Sequence, residues 1–288
     1  MSVHTSDIVQ DPEGLLATQD HMQGMERILM VVEKIDRPFP SVARVSGRIS
    51  PSNAKAWTRP NIAVRLEVES PEGQRPVSRV YTVRHFDAKS GRLEIDFVIH
   101  ADNSPAMRWL AQAGPGAVVP LVGPRAHFIP DYESGRKIAI FADETAIPAV
   151  HAILGAWKPG ATGVLCVETA DAEAFNELPQ PAGVERYLLL RTPDQPAGTT
   201  GELVEAAKRI IGAENWTVWA AGERLEARAI RSHCLDDLGL AKDDVRIFGY
   251  WRRGVSSSEI DRKRLDGYGN ARKTGSGAKR LDDLDIPV

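Results

Sequence analysis

Cysteine is nearly absent from this chain: Cys166 and Cys234 are the only two in 288 residues, far apart and without a CxxC or any metal-ligand spacing. That argues against a disulfide framework or a zinc site, and both thiols are expected to be reduced and packed in the interior. Long apolar runs are missing as well. AVVPLVG and RYLLLR fall far short of the roughly 20 residues that cross a bilayer, so no membrane span is expected. The first 25 residues carry acids and a proline and lack a basic start before an apolar core. No secretory leader is expected, and the cytoplasm is the expected compartment. Excess charge of one sign is lacking too. A formal net charge of −3 provides no overall field toward nucleic acid or anionic lipid, so any basic site must be local. Nucleic acid is not an expected partner. The chain also lacks a Ser-His-Asp order, a paired-carboxylate motif and a GxGxxG fingerprint, which removes the usual signatures of hydrolysis and of dinucleotide binding through glycines.

What remains is a globular composition, 42% hydrophobic and 26% charged, in a chain long enough for two cores. Residues 1–35 read as an accessory arm in which MERILMVVEKI makes an amphipathic helix. From 36 to 134 the texture is short alternating runs. IAVRLEVES puts Ile62, Val64, Leu66 and Val68 on one face, and RLEIDFVIH does the same with Leu93, Ile95, Phe97 and Ile99. Pro- and Gly-rich turns separate them, which predicts an antiparallel β-barrel or sandwich. Its first strand is hard to place. VARVSGRIS is the best candidate, and the barrel is expected to be trimmed. From 135 to 254 strand and helix alternate (KIAIFAD, ETAIPAVHAILGAW, GVLCVET, AEAFNEL, ERYLLLR, GELVEAAKRIIG, WTVWAAG, ERLEARAIRSHCLDDLG, DVRIFGYW). This predicts an α/β domain with a parallel sheet and crossover helices on both faces. Residues 255–288 are polar and Gly/Ser-rich and read as a mobile tail, with at most a short helix.

One stretch resists a purely structural reading. RVYTVRHF, residues 79–86, sets Arg79 and Arg84 inside a run that otherwise favours a strand. Arg79 offers a fork of donors that suits a pyrophosphate, Tyr81 an aromatic face, and Thr82 a hydroxyl beside it. About twenty residues on, Asn103 or Ser104 can cap a helix whose first turn holds Pro105. The free amides of such an end can bind phosphate.

RVYTVRHFD, EIDFVIH, SPAMRWL, VGPR, FADETAIPAV, WAAGE and FGYWRRG, in this order and across residues 40–254, resemble the siderophore-interacting proteins, the FAD-containing ferric-siderophore reductases of the ferredoxin reductase-like superfamily. The resemblance implies a flavin-binding barrel followed by an NAD(P)H-binding-like α/β domain. It also implies FAD held by Arg79, Tyr81, Thr82, Val83 and Arg84, by His100 and Ala101, by Ser104, Pro105, Ala106, Met107 and Trp109, and by Thr145 and Trp251. The arginines would meet phosphate or the flavin edge, Tyr81 the isoalloxazine, and Thr82 its ring nitrogens. Lys55, Arg125, Arg252 and Arg253 are the implied contacts for an anionic ferric siderophore. Electrons would come from NADPH, NADH or ferredoxin. Two departures bear on the cofactor: Ala101 follows His100 where the family has glycine, and Met107 replaces a serine that serves the phosphate. Ala142, in place of glycine before Asp143, is milder. Two alternatives stay open at this point: a general flavin reductase or electron-transfer flavoprotein with another acceptor, and a non-catalytic ligand-binding relative.

Overall fold

A computed structural model describes residues 7–11, 14–15, 22–100, 102–132, 135–192, 194–212 and 215–275. Six strands, β1 (Glu26–Phe39), β2 (Val42–Arg48), β3 (Ile62–Glu69), β4 (Val77–Asp87), β5 (Arg92–Val98) and β6 (Val118–Ala126), close an antiparallel barrel in the order β1-β2-β5-β4-β3-β6. Closure removes every sheet edge. The expected inward faces fill the barrel, with Val64, Leu66, Leu93, Ile95 and Phe97 all at most 1% exposed. Two short helices are appended, α1 (Ala54–Trp57), whose Trp57 is buried, and α2 (Pro105–Gln112) between β5 and β6.

The helix expected in MERILMVVEKI is instead the missing first strand. Met30 and Val32 are buried, whereas Leu29 and Val31 are 55% and 44% exposed, a period of two rather than 3.6. The consecutive apolar residues hide that period in the sequence. Pairing with β6 (Met30 opposite Val119) and with β2 (Ile35 opposite Val45) reveals it. The barrel is therefore complete rather than trimmed, VARVSGR is its second strand, and the division expected at residue 35 falls inside β1.

The α/β unit follows its expected order: β7 (Lys137–Asp143), α3 (Ile147–Gly155), β8 (Gly163–Thr169), α4 (Ala172–Asn176), β9 (Val184–Leu190), α5 (Glu202–Ile210), β10 (Trp216–Glu223), α6 (Arg224–Ser232) and β11 (Val245–Trp251). The strands are parallel in the order β11-β10-β7-β8-β9. One face is covered by α3 and α4 and the other by α5 and α6, each over its own apolar cluster. Cys166 and Cys234 are buried free thiols in the second cluster. The strand order reverses at β7, so the crevice where such sheets bind ligands lies at its C-terminal end.

Residues 257–274 of the expected mobile tail are a helix, α7 (Ser257–Thr274), capped by Ser256 and ended by Gly275 in a left-handed conformation. Its sparse apolar residues are concentrated where they matter: Leu265 and Tyr268 pack against Val9 and Leu15 of the N-terminal segment. Residues 276–288 lie outside the described residues. No helix among the described residues is long and apolar enough to cross a membrane.

The barrel and the α/β unit are locked by charge. Arg44 binds Asp96 at 2.7 Å and Glu177 at 2.8 Å, and Arg84 binds the same two carboxylates at 3.0 and 2.6 Å. Ser41 donates to Asp171 at 2.5 Å, and Trp219 donates its indole N–H to the Phe128 carbonyl at 3.0 Å.

Candidate functional site

Between the two units lies a cavity of about 1360 Å³, walled by β4 and the start of α2, by the C-terminal ends of β7 and β11, and by α6 and α7. Single small-molecule sites commonly occupy about 300–1,000 Å³, so there is room for a large cofactor and a second ligand.

The barrel wall is built by β4. Arg79 donates through Nη1 to the Ser78 carbonyl at 2.8 Å and through Nη2 to Ser258 Oγ of α7 at 3.0 Å, with Asp7 at 3.8 Å. Burial disfavours its charge more than these neighbours favour it, so its pKa is lowered. An anion beside it would offset that loss. The Tyr81 ring stands 4.0 Å from that of Phe97, which stacks in turn on Trp109 at 5.4 Å. Thr82 shares a hydrogen bond with Tyr250 of β11, and burial raises the Tyr250 phenol above its usual range.

At the start of α2, Ser104 holds the N-cap position without its side chain capping the helix, Pro105 opens the first turn, and no acidic residue occupies that turn. Ser104, Pro105, Ala106 and Met107 all line the cavity. The first-turn amides thus have no side-chain acceptor and face open space, a ready anion site. Met107 also acts locally, because its sulfur accepts the His100 amide at 3.5 Å and so ties the end of β5 to the helix. An aromatic face, a hydroxyl, a guanidinium and uncapped amides along one wall fit the ring and pyrophosphate of a flavin dinucleotide.

Behind the opposite wall Asp143, at the end of β7, accepts from Thr145 N at 2.9 Å, Thr145 Oγ1 at 2.5 Å and Trp251 Nε1 at 2.7 Å. A Cβ at residue 222 would fall 2.7 Å from Asp143 Oδ2, so Gly222 is what lets β10 pass the carboxylate. Burial first, and Glu144 second, push Asp143 up to about 6. Other acids stand at neighbouring strand ends. Glu144 and Glu168 flank Arg191, and Glu223 caps α6 by accepting from the amides of Leu225 and Glu226. Burial, with Glu168, Asp143 and Glu223 nearby, raises Glu226 to about 7.

Of the residues expected to touch cofactor or substrate, Arg79, Tyr81, Thr82, His100, Ser104, Pro105, Ala106, Met107, Arg125, Thr145, Trp251, Arg252 and Arg253 line this cavity. Four do not. Arg84 is turned to Asp96 and Glu177 at the interdomain lock. Val83 is packed in the barrel core and Trp109 lies behind Phe97. Lys55 is exposed on α1, outside the lining. Ala101 lies outside the described residues. The sequence reading missed Ser258 and Asp261 of α7, placed in a supposed tail, and also the α6 arginines Arg224, Arg228 and Arg231. Their i, i+4, i+7 spacing was a signal available in the sequence.

Comparison with known proteins agrees with this geometry. The sequence model described as siderophore-interacting FAD-binding domain matches residues 22–128, and that of siderophore-interacting protein matches residues 135–254. The chain is 41% identical over 277 residues to the ferric acinetobactin reductase of Acinetobacter baumannii, covering 96% of each. It is 30% identical over 192 residues to the ferric vibriobactin reductase of Vibrio cholerae, covering 66% of this chain and 70% of that one. The solved structure of the siderophore-interacting protein from A. baumannii superposes with a TM-score of 0.83 at 41% identity, covering 87% of this chain and all of that one.

Proposed function

The chain belongs to the siderophore-interacting protein family, and from that premise we propose that it is an FAD-dependent ferric-siderophore reductase, an oxidoreductase that passes electrons to a chelated Fe(III) and releases Fe(II). The observation that carries this reading is the wall formed by Arg79, Tyr81, Thr82 and the uncapped start of α2, facing a cavity with room for a second ligand. FAD bound there supplies a centre that takes up two electrons as hydride and gives them out singly.

The side chains bind, orient and exclude water. Arg79 and the amides of Ala106 and Met107 would hold the pyrophosphate, and Tyr81 would offer its face to the ring system. Thr82, fixed by Tyr250, would offer its hydroxyl to the ring's polar edge. Trp251, held by Asp143, limits water access from the α/β side. Asp143 lies behind Thr145 and fixes both Thr145 and Trp251 through the three hydrogen bonds it accepts. The substrate needs no acid, base or nucleophile. Fe(III) is a hard ion gripped by charged oxygens, and gaining one electron weakens that grip. The donor is NADPH, NADH or ferredoxin, and the reaction runs in the cytoplasm, where both buried thiols stay reduced.

The test is the visible spectrum of the purified protein under anaerobic conditions. A yellow protein that bleaches with one donor and recovers its colour on adding a ferric siderophore, with Fe(II) trapped by a chromogenic chelator, is the expected result. A protein that takes up no flavin on incubation with FAD overturns the reading.

A further inference from the structure

The cavity has two chemically different ends. The one framed by β3, β4, β6, α6, α7 and the end of β11 is rich in arginine. The other is framed by the β1–β2 turn, β5, the turn after β7 with the start of α3, the end of β8 and the loop after β9. These contribute Ser41, Asp96, Pro148, Ala170, Asp171 and Pro196. Among the described residues, no lysine or arginine of these elements lines the cavity. The charged groups that do are Asp96, Glu144 and Asp171.

The cations behind this second end are already committed. Arg44 and Arg84 both bind Asp96 and Glu177, and Arg191 binds Glu144 and lies 3.2 Å from Glu168. Asp171 accepts from Ser41 and from the amides of Glu173 and Ala174. His151 adds no charge, because burial first and Arg84 second hold its imidazole down to about 4. Three arginines thus face five carboxylates, and the local potential is negative. Glu144 gives Oε1 to Arg191, while its Oε2 is buried without a hydrogen-bond partner. A hydroxyl can satisfy that acceptor, and an ionised phosphate, which donates nothing, cannot.

The place of this end in the sheet bears on the electron donor. It lies where the strand order reverses, the crevice that a dinucleotide crosses, with its adenosine ribose near the end of the second strand of the unit, here β8. At that point an acid suits the 2′-hydroxyl of NADH, and an arginine suits the 2′-phosphate of NADPH. This chain offers Ala170 and Asp171 to the cavity, with Glu168 buried beneath them. The hydrogen bond between Thr82 and Tyr250 brings the ring side of the barrel wall against β11. A nicotinamide that reaches it leaves the adenosine to the β8 side. The α6 arginines stand too far off to help, since α6 follows β10, and β7 separates β10 from β8. Two strand spacings amount to about 10 Å.

We propose that this acidic end is the adenosine side of the donor site and selects NADH against NADPH, with Glu144 and Asp171 as the specificity-determining residues. This rests on the reductase reading above. The 2′-phosphate carries about −2 at neutral pH, and here it meets carboxylates whose cations are already paired. The unphosphorylated ribose meets hydrogen-bond acceptors instead. Ala170 is exposed at the end of β8, so a cation can be added there without disturbing a packed group.

The test titrates NAD⁺ and NADP⁺, which leave oxidised flavin unchanged, into the full-length protein loaded with FAD, with binding read by calorimetry. NAD⁺ is expected to bind about tenfold or more tightly at low salt, and the gap is expected to narrow as salt rises. Ala170→Arg is expected to tighten NADP⁺ by about tenfold. Asp171→Asn, which can still cap α4, is expected to narrow the gap to a smaller extent. Equal affinities, a preference for NADP⁺, or a gap that salt and both variants leave unchanged overturns the proposal while the reductase reading stands. A protein that binds neither nucleotide overturns it as well, and bleaching of its flavin by reduced ferredoxin would then keep the reductase reading. The same comparison on the apoprotein needs no flavin. A chain that takes up no FAD therefore sinks the reductase reading, and its two nucleotide affinities still decide the selection.

Discussion

Arg79 and Arg84 lie on one strand and look interchangeable in the sequence, yet they serve different purposes. Arg79 lines the cavity and touches only a carbonyl and a hydroxyl at hydrogen-bond distance. Arg84 is 6% exposed and spends its guanidinium on Asp96 and Glu177. Arg79→Ala is therefore expected to weaken FAD binding by about tenfold to a hundredfold, the range of a lost charged hydrogen bond, with little change in the unfolding midpoint. Titration of the apoprotein with FAD checks the first part and a melt of the apoprotein the second. Glu226 makes a separate prediction about pH. Its folded-state pKa is raised to about 7 from 4.5, so the folded state holds the proton more tightly than the unfolded chain. Its contribution to stability is thus present below 4.5 and is lost as pH rises toward 7. Glu226→Gln removes that loss, so the drop in melting temperature between pH 5 and pH 8 should be smaller in the variant than in the parent. An equal drop in both would mean that Glu226 ionises in the folded protein as easily as in the unfolded chain.

The elements whose pattern came from their own residues were legible. β3 and β5 alternate cleanly, and every strand and helix from β7 to β11 was bounded by its own turns. Elements defined by their partners were not. β1 reads as a helix because six consecutive residues from Arg27 to Val32 include five apolar ones, and only pairing with β2 and β6 decides which of them face inward. α7 reads as a tail because its buried residues meet a segment some 250 positions away, a contact that no local window contains. The same blindness explains Arg84, whose partner Glu177 follows α4 in the other unit. A strand pattern shows that a side chain leaves the strand but not what it meets. Removing Arg84 leaves the buried Asp96 and its neighbour Glu177 to Arg44 alone, so Arg84→Ala is expected to cost about 3 kcal/mol, measured by urea denaturation. The cost should be shared by Arg44→Ala, and the double variant should lose more than the sum of the two, because each arginine covers for the other at the same carboxylates and only their joint loss strips both. Strict additivity would show that the cluster is not one unit.

At the scale of the molecule, the segment around Asp7 and α7 meet beside the cavity. Ser258 of α7 accepts from Arg79 and donates to the Asp7 carbonyl, Asp261 pairs with Arg65 on β3 at 2.7 Å, and Asp7 pairs with Arg108 of α2 at 3.2 Å. α7 thus fastens to the barrel at the arginine assigned to the pyrophosphate, while the barrel and the five-stranded sheet close without it. A truncation after residue 254 should therefore still fold, with its barrel core unchanged, but should release FAD about tenfold faster, because Arg79 loses the neighbour that orients it and the opening widens. Flavin fluorescence after dilution reports the rate, and Ser258→Ala gives a milder version that keeps the helix in place. A release rate unaffected by either change would mean that α7 covers the cavity without holding anything in it. Faster release in the truncation but not in Ser258→Ala would place the effect in closure of the opening rather than in the orientation of Arg79.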